Sequence, residues 1–421
     1  MRDPRLDFFR GIAMFVIFVA HVPSDWWALW IPARFGFSDA TETFVFCSGM
    51  ASALAFASVF DRHGWTMGVA RVGHRVWQVY WSHIALFLAV LLLVLALSQA
   101  VPKNYAIALN LGHFLDKTAI TLPGLMTLTY VPNYFDILPM YLVILALIPV
   151  VMGLSRLSPW AVAAFCLTLY VFANPWLVGL REAVPSPGPA REYWSLFGTV
   201  FTSDLPAEPW SNRAWFFNPF GWQLVFFTGF ALMRGWIPAP PVKGWLVALA
   251  AVFVVVCVPY AWSPWNSVVP FLQDFAASNR DTAALVQPFA EKTDFGPLRY
   301  VHFLATAYLA WVAVGPMGAR LSDWGRLTVV VDVIRKVGQQ SLAVFLASLF
   351  LAQFAGFVLD QWGRSWTTTG IVTLAGFAAL IAVAYAVAWF KTQPWRNKPS
   401  QTKVVQRADM AGTMTAAEPA E

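Results

Sequence analysis

The first apolar stretch, Asp7-Phe-Phe-Arg10-Gly-Ile-Ala-Met-Phe-Val-Ile-Phe-Val-Ala-His21, holds the residues best suited to chemistry. At 100° per residue, Arg10 and His21 return to within about 20° of one helix face, and Asp7 lies within about 60° of it. The rise per residue sets His21 roughly 16 Å beyond Arg10 along one wall. Ionisable groups in such a stretch are costly in lipid, and they face a cavity or a partner. A cation at the mouth and an imidazole further in describe a polar shaft, with His21 as a general base. The competing reading makes Arg10 a topology anchor and His21 a polar residue near a helix end.

A second group follows in Arg71-Val-Gly-His74-Arg75-Val-Trp-Gln78-Val-Tyr-Trp-Ser82. On a helix Arg71, His74, Arg75, Gln78 and Ser82 share a face about 100° wide. Like charges four residues apart repel, so Arg71 and Arg75 call for an anion or an acidic partner. The phosphates of a nucleotide-containing donor would supply one. Ordinary basic anchoring at a membrane surface is the alternative. Glu42, at the start of the next apolar stretch, is a candidate for orienting His21, whereas Ser48-Gly49 suits close helix packing. Asp136 is either an N-cap or a carboxylate at the mouth of the site, and Tyr141 follows it on the same span. His63, His83, His113 and His302 each stand alone and read as structural or interfacial. No phosphate-binding glycine loop, zinc-protease helix or nucleophile elbow occurs, and no metal site is expected.

These residues must be positioned by membrane helices. Of 421 residues 58% are hydrophobic, 16% aromatic and only 12% charged, far from the roughly 25% charged of a soluble domain. The 22 tryptophans suit interfacial aromatic belts. The net charge of +6 is scattered over loops, which fits topology control and argues against nucleic acid as a partner. Cys47, Cys166 and Cys257 fall in apolar stretches and give no disulfide framework.

About 20 apolar residues cross a bilayer as a helix. The expected fold is therefore all-α: a polytopic bundle of about ten spans (10–12) over 1–395. The candidate spans are 8–24, 41–60, 76–99, 137–153, 159–178, 220–236, 244–262, 299–318, 340–359 and 369–390. The first reads as an uncleaved span, since no small-residue cleavage site follows it. Residues 105–130 are too broken for a span and suggest a re-entrant or interfacial piece. With both termini cytoplasmic, 18 of the 28 Lys and Arg residues fall inside, as the positive-inside rule requires. The long outer segments 100–136, 179–219 and 263–298 form either a shelf for a bulky acceptor or a packed cap. Residues 396–421 read as a disordered cytoplasmic tail. No internal repeat supports a transporter of inverted-repeat design.

Arg5-Leu-Asp7-Phe-Phe-Arg10-Gly11, Asp39-Ala-Thr-Glu42-Thr-Phe-Val-Phe, Trp77-Gln78-Val-Tyr80, Asp136-Ile-Leu-Pro139-Met-Tyr141, Phe217-Asn218-Pro219-Phe220-Gly-Trp222-Gln223 and Gly296-Pro297-Leu-Arg299 occur in that order. In these runs the chain resembles the OpgC family, implicated in succinylating osmoregulated periplasmic glucans. More distantly it is similar to the membrane acyltransferase-3 superfamily. It departs from the latter at the third span, where Val72 stands three residues before Arg75 and Arg71 is one place out of register. His74 stands where an OpgC-like chain often has Arg. The resemblance implies a bacterial inner-membrane O-acyltransferase. It would take an acyl group from cytoplasmic acyl-CoA, succinyl-CoA by the family's role, and deliver it to a glucan hydroxyl on the periplasmic side. His21, Glu42 and Arg10 would then be catalytic, and Arg71, His74, Arg75, Gln78, Asp136 and Tyr141 substrate-binding. No permanently bound cofactor is implied, and the partners are membrane lipid and the glucan. The alternative is a transporter or flippase in which the same shaft moves a polar substrate without acyl chemistry.

Overall fold

Helices begin where the sequence supplies caps. Asp3, Asp39, Ser158, Asn218 and Ser365 each accept a backbone N–H of the following turn, and Pro4, Pro159, Pro219 and Pro297 occupy first-turn positions where no N–H is needed. The computed structural model describes residues 3–178 except 102, 181–182, 193–196, 199–201, 203–261, 274, 278 and 285–396 except 323 and 324. Of the tail expected over 396–421, all but Arg396 lies outside these residues, as does most of the segment 263–284.

The long helices are α1 (Pro4–His21), α2 (Ala40–Ser52), α3 (Ser58–Ala100), α4 (Ile137–Ala146), α5 (Ile148–Leu154), α6 (Pro159–Ala173) and α7 (Pro219–Arg234). They continue with α8 (Gly244–Cys257), α9 (Pro297–Val314), α10 (Thr328–Gln339), α11 (Ser341–Trp362) and α12 (Trp366–Lys391). Among the described residues four helical stretches are long and apolar enough to cross a membrane: Ala40–Ala100, Ile137–Leu154, Ser341–Trp362 and Trp366–Lys391. The 61-residue stretch Ala40–Ala100 holds two of the expected spans. It is broken at Gly64, whose φ of 81° suits a residue without Cβ. There the chain doubles back, so that Trp65 and Gly68 both lie against the Phe60 ring. Helices also stand at the other expected segments, but they are shorter or more polar. For example, α1 carries Arg5, Asp7 and Arg10 within 18 residues.

The fold is helical as expected, with one exception among the described residues. Arg181–Glu182, Tyr193–Leu196 and Thr199–Phe201 pair as a small antiparallel sheet, Trp194 lying opposite both Arg181 and Phe201. It sits in the long segment 179–219, where aromatic and β-branched residues alternate too briefly to be told from loop.

Residues 105–130 form short helices that run back along α3. Tyr105 N–H reaches Ser98 Oγ, Phe114 packs on Phe87, and Tyr80 Oη donates to the Met126 carbonyl at 2.7 Å. The chain then reverses at Leu128 (φ 60°) and returns to Phe87 through Tyr130 and Phe135.

α1 is central, packed against α2, α10 and α11. Its backbone meets that of α10 closely, because Gly11 lies on the Ile334 carbonyl and Gly338 on the Asp7 carbonyl, and a Cβ at either would collide. α2 and α7 cross in the same way through Gly49 on the Phe226 carbonyl and Gly229 on the Phe46 carbonyl. Gly49 is thus a packing residue, as its type suggested.

Candidate functional site

α1 links two polar clusters. The first is a cavity of about 220 Å³ where α1, α2, α3 and α4 meet, lined by Arg10, Ser48, Ser52, Arg71, Arg75, Gln78 and Tyr141, with Ala51, Ala55 and Phe56. Of the helical face read from the sequence, Arg71, Arg75 and Gln78 line this cavity, Arg71 and Gln78 remaining exposed, whereas His74 and Ser82 do not line it. Gln78 Oε1 accepts from Arg75 Nη1 at 3.3 Å, and Gln78 Nε2 stands 2.9 Å from His74 Nε2. An amide nitrogen can only donate, so His74 Nε2 accepts in this arrangement. His74 is tied to the cavity through Gln78 and is itself exposed. Arg10 reaches across to Ser341 Oγ at the α10–α11 junction. Neither Arg71 nor Arg75 has a carboxylate within ion-pair distance among the described residues. Two guanidinium groups four residues apart face one cavity with no carboxylate to offset them among the described residues, a charge arrangement suited to an anion.

The second cluster gathers at the other end of α1. His21 Nδ1 lies 2.7 Å from the Ile17 carbonyl, so Nδ1 carries the proton and Nε2 keeps the lone pair of the neutral ring. Nε2 has no partner among the described residues. Tyr134 meets the imidazole edge-on at 5.5 Å and is anchored by its hydroxyl on the Leu349 carbonyl. The sequence had suggested Glu42 for orienting this ring. Instead both Glu42 oxygens are engaged elsewhere: Oε2 accepts Asp39 N–H at 2.7 Å in a capping box, and Oε1 accepts Arg299 Nη1 at 2.6 Å. The Glu42 side chain is wholly buried, so its charge is matched by Arg299 rather than by water. The ring is held by the Ile17 carbonyl, one helical turn back, which also fixes its tautomer.

Asp39 adds a parallel ion pair to Lys292 at 2.5 Å. Burial pushes the Asp39 carboxyl up, but the Lys292 and Arg299 charges and the Lys292 hydrogen bond outweigh it and hold the group below the usual carboxylate range. Lys292 stands at the His21 end of the bundle: it lies over Phe217, whose ring packs on Phe216, and Phe216 N–H bonds Asp136, two residues from the Tyr134 that meets His21.

Asp136 and Tyr141 part company. Tyr141 lines the arginine cavity and packs edge-on against Phe226. Asp136 makes no side-chain cap to α4, which removes the N-cap reading. It is 1% exposed, accepts a long 3.4 Å bond from Phe216 N–H, and leaves Oδ2 unpartnered among the described residues. Of the lone histidines, His302 bonds Ser38 Oγ at 2.8 Å and His113 lies on Trp210, whereas His83 is buried with neither nitrogen bonded. A further cavity of about 230 Å³ beside α1, α12 and Trp27–Pro32 is lined without any ionisable side chain. Cys47, Cys166 and Cys257 are free and buried.

Sequence reading missed Lys292, Arg299, Tyr134 and Ser341. A signal existed for two of them: Lys292 and Arg299 are basic residues at the end of the bundle assigned outside, where the positive-inside rule disfavours them. A cation retained there has a local partner or task.

A family model described as OpgC protein matches residues 2–392. No curated protein and no solved structure matches the chain.

Proposed function

The chain belongs to the OpgC family, and from that premise we propose that it is a membrane O-acyltransferase. It moves a succinyl group from cytoplasmic succinyl-CoA to hydroxyls of a periplasmic glucan. One observation carries the reading: Arg71 and Arg75 face a cavity shared with Arg10 and lack any carboxylate partner among the described residues. Guanidinium forks suit phosphate oxygens, so this end takes the nucleotide part of the donor.

The transfer itself falls to the other end. A thioester is already activated, and what remains is to deprotonate the acceptor and support the tetrahedral intermediate. His21 Nε2 takes the proton of a sugar hydroxyl, and the hydroxyl oxygen attacks the thioester carbonyl. The C–S bond then breaks, and the departing thiolate recovers the proton from the imidazolium. General-base assistance of this kind contributes about 10²–10⁴-fold. The cytoplasmic position of both termini, a bundle of about ten spans, the inner-membrane location and the kinship with the acyltransferase-3 superfamily belong to the same proposal.

The test is CoA release by purified protein. With succinyl-CoA and glucan together, free CoA should accumulate in step with succinylated glucan. A transporter or flippase would bind or move the glucan and release no CoA, and that outcome would overturn the reading.

A further inference from the structure

The segment that carries Lys292 is fixed to an unusual degree. Four consecutive carbonyls are each held by a different donor: Lys292 O by Trp222 Nε1 at 2.9 Å, Thr293 O by Asn218 N–H at 2.9 Å, Asp294 O by Asn174 Nδ2 at 2.9 Å, and Phe295 O by Tyr170 Oη at 2.9 Å. Asn218 Nδ2 also holds the Asp294 carboxylate at 2.8 Å, and Gly221 leaves room for the Asp294 backbone. Phe295 is wholly buried with φ at 61°, a conformation costly for a bulky side chain and kept only where its surroundings impose it. Strain of this kind gathers where a side chain must be presented accurately.

Lys292 is the charged side chain so presented. Its ammonium has three donors, and the described residues accept from one, through Asp39 at 2.5 Å. The side chain is 28% exposed and lies over the Phe217 ring, and its other two donors meet no acceptor among the described residues. Arg299 differs: it is 12% exposed, with Nη1 on Glu42 and Nε on the Ala290 carbonyl. Lys292 is therefore a cation at the His21 end of the bundle with donors to spare among the described residues.

We propose that the Lys292 ammonium, held by Asp39, binds the distal carboxylate of the acyl group and selects donors whose acyl chain ends in a carboxylate. This rests on the reading of His21 as the base of acyl transfer. The chemistry requires such a group. An acyl chain carrying a second carboxylate brings a full charge to the outer end of the bundle, and an unpaired charge withdrawn from water is penalised heavily. In succinyl the carboxylate stands two methylenes from the reacting carbonyl, so its cation must lie close to the base. Asp39 keeps the ammonium charged and aimed.

The experiment compares succinyl-CoA with butyryl-CoA, which has the same four-carbon chain and ends in methyl. The ratio of their kcat/KM values is read from CoA release in wild type, Lys292→Gln/Asp39→Asn and Lys292→Arg. The double variant avoids stranding a buried Asp39 charge; Lys292→Gln alone replaces it if the double variant does not accumulate. The succinyl-to-butyryl ratio should fall at least about tenfold without the ammonium, the usual worth of one charge-assisted hydrogen bond. Lys292→Arg, which keeps the charge, should hold most of the preference. An unchanged ratio overturns the inference and leaves acyl transfer standing, and so does an equal loss with both donors, since that marks a structural pair. If wild type releases CoA from neither donor, the transfer reading itself falls, and this inference with it.

Discussion

Arg75 gives the sharpest test of the donor cavity, because the structure separates its binding role from its structural one. Its side chain makes one long hydrogen bond, to Gln78 at 3.3 Å, and no ion pair among the described residues. Arg75→Ala therefore removes little that holds the fold. If the guanidinium grips a donor phosphate, the loss is one charge-assisted interaction of about 1.5–3 kcal/mol. That corresponds to a rise of about 10- to 150-fold in donor KM, with turnover at saturating donor nearly intact. Arg75→Lys keeps the charge but loses the planar fork, and a rise of roughly 3- to 10-fold is expected. Both effects should shrink as salt is raised. The assay is initial-rate CoA release at fixed glucan across a donor titration. Arg234→Ala is the control: this arginine pairs with Asp61 at 2.8 Å on half-exposed side chains, is worth about 1 kcal/mol or less, and should leave donor KM alone. Unchanged KM in both Arg75 variants would show that Arg75 is a topology anchor and the cavity is not a phosphate site.

His21→Ala should abolish acyl transfer while the protein still inserts and accumulates, as read by glucan succinylation in membranes; a wild-type rate would remove His21 as the base. Glu42→Ala breaks a buried ion pair and a capping box together, so a loss of about 3–5 kcal/mol is expected, with Glu42→Gln milder because it can still accept the Asp39 N–H. Thermal unfolding in detergent reads this, and a wild-type midpoint for Glu42→Ala would show that the pair carries no stability. Asp39 supplies a pH dependence: its folded pKa is depressed, so its contribution is complete above the ordinary carboxylate value of about 4 and is lost as pH falls below it. Melting temperature should therefore drop more steeply between about pH 5 and pH 3 in wild type than in Asp39→Asn; parallel curves would contradict the pairing with Lys292.

What the sequence made legible was whatever repeats along a helix. Arg71, Arg75 and Gln78 could be placed on one face because helical spacing is regular, and the cavity bears that face out. Arg10 belongs to the same cavity, although its spacing alone had set it equally with His21. Pairing across the chain was not legible. Glu42 meets Arg299 at a separation of 257 residues and Asp39 meets Lys292 at 253, and no local pattern encodes either. Charge still offered a hint, since cations at the end assigned outside go against the usual bias. Asp136 shows the limit of residue-type rules: it stands one residue before a helix, the position of a cap, yet its side chain makes no capping bond. The small sheet of 181–201 was hidden because two- to four-residue strands carry too few alternations to register.

The apolar run between Arg10 and His21 bears on how the two ends could cooperate. Gly11 to Ala20 contains no polar side chain, and the inner residues Ala13, Met14, Ile17 and Phe18 are buried in the main core. A phosphate held at Arg71 and Arg75 has no ionisable stepping stone along this wall, and a charge moved through it would bear the full cost of desolvation. Proton relay along α1 is disfavoured for the same reason. In the proposed reaction the part of the donor that travels between the clusters is an uncharged, flexible arm whose charged head stays behind. A CoA thioester has that construction, with nucleotide phosphates at one end and the acyl group at the tip of a neutral chain. The separation of the polar clusters, roughly 16 Å along the helix, then becomes a requirement of the proposed chemistry rather than an obstacle to it. In that reaction the cations stay with the donor phosphates, and the base meets the acceptor hydroxyl at the other end of α1.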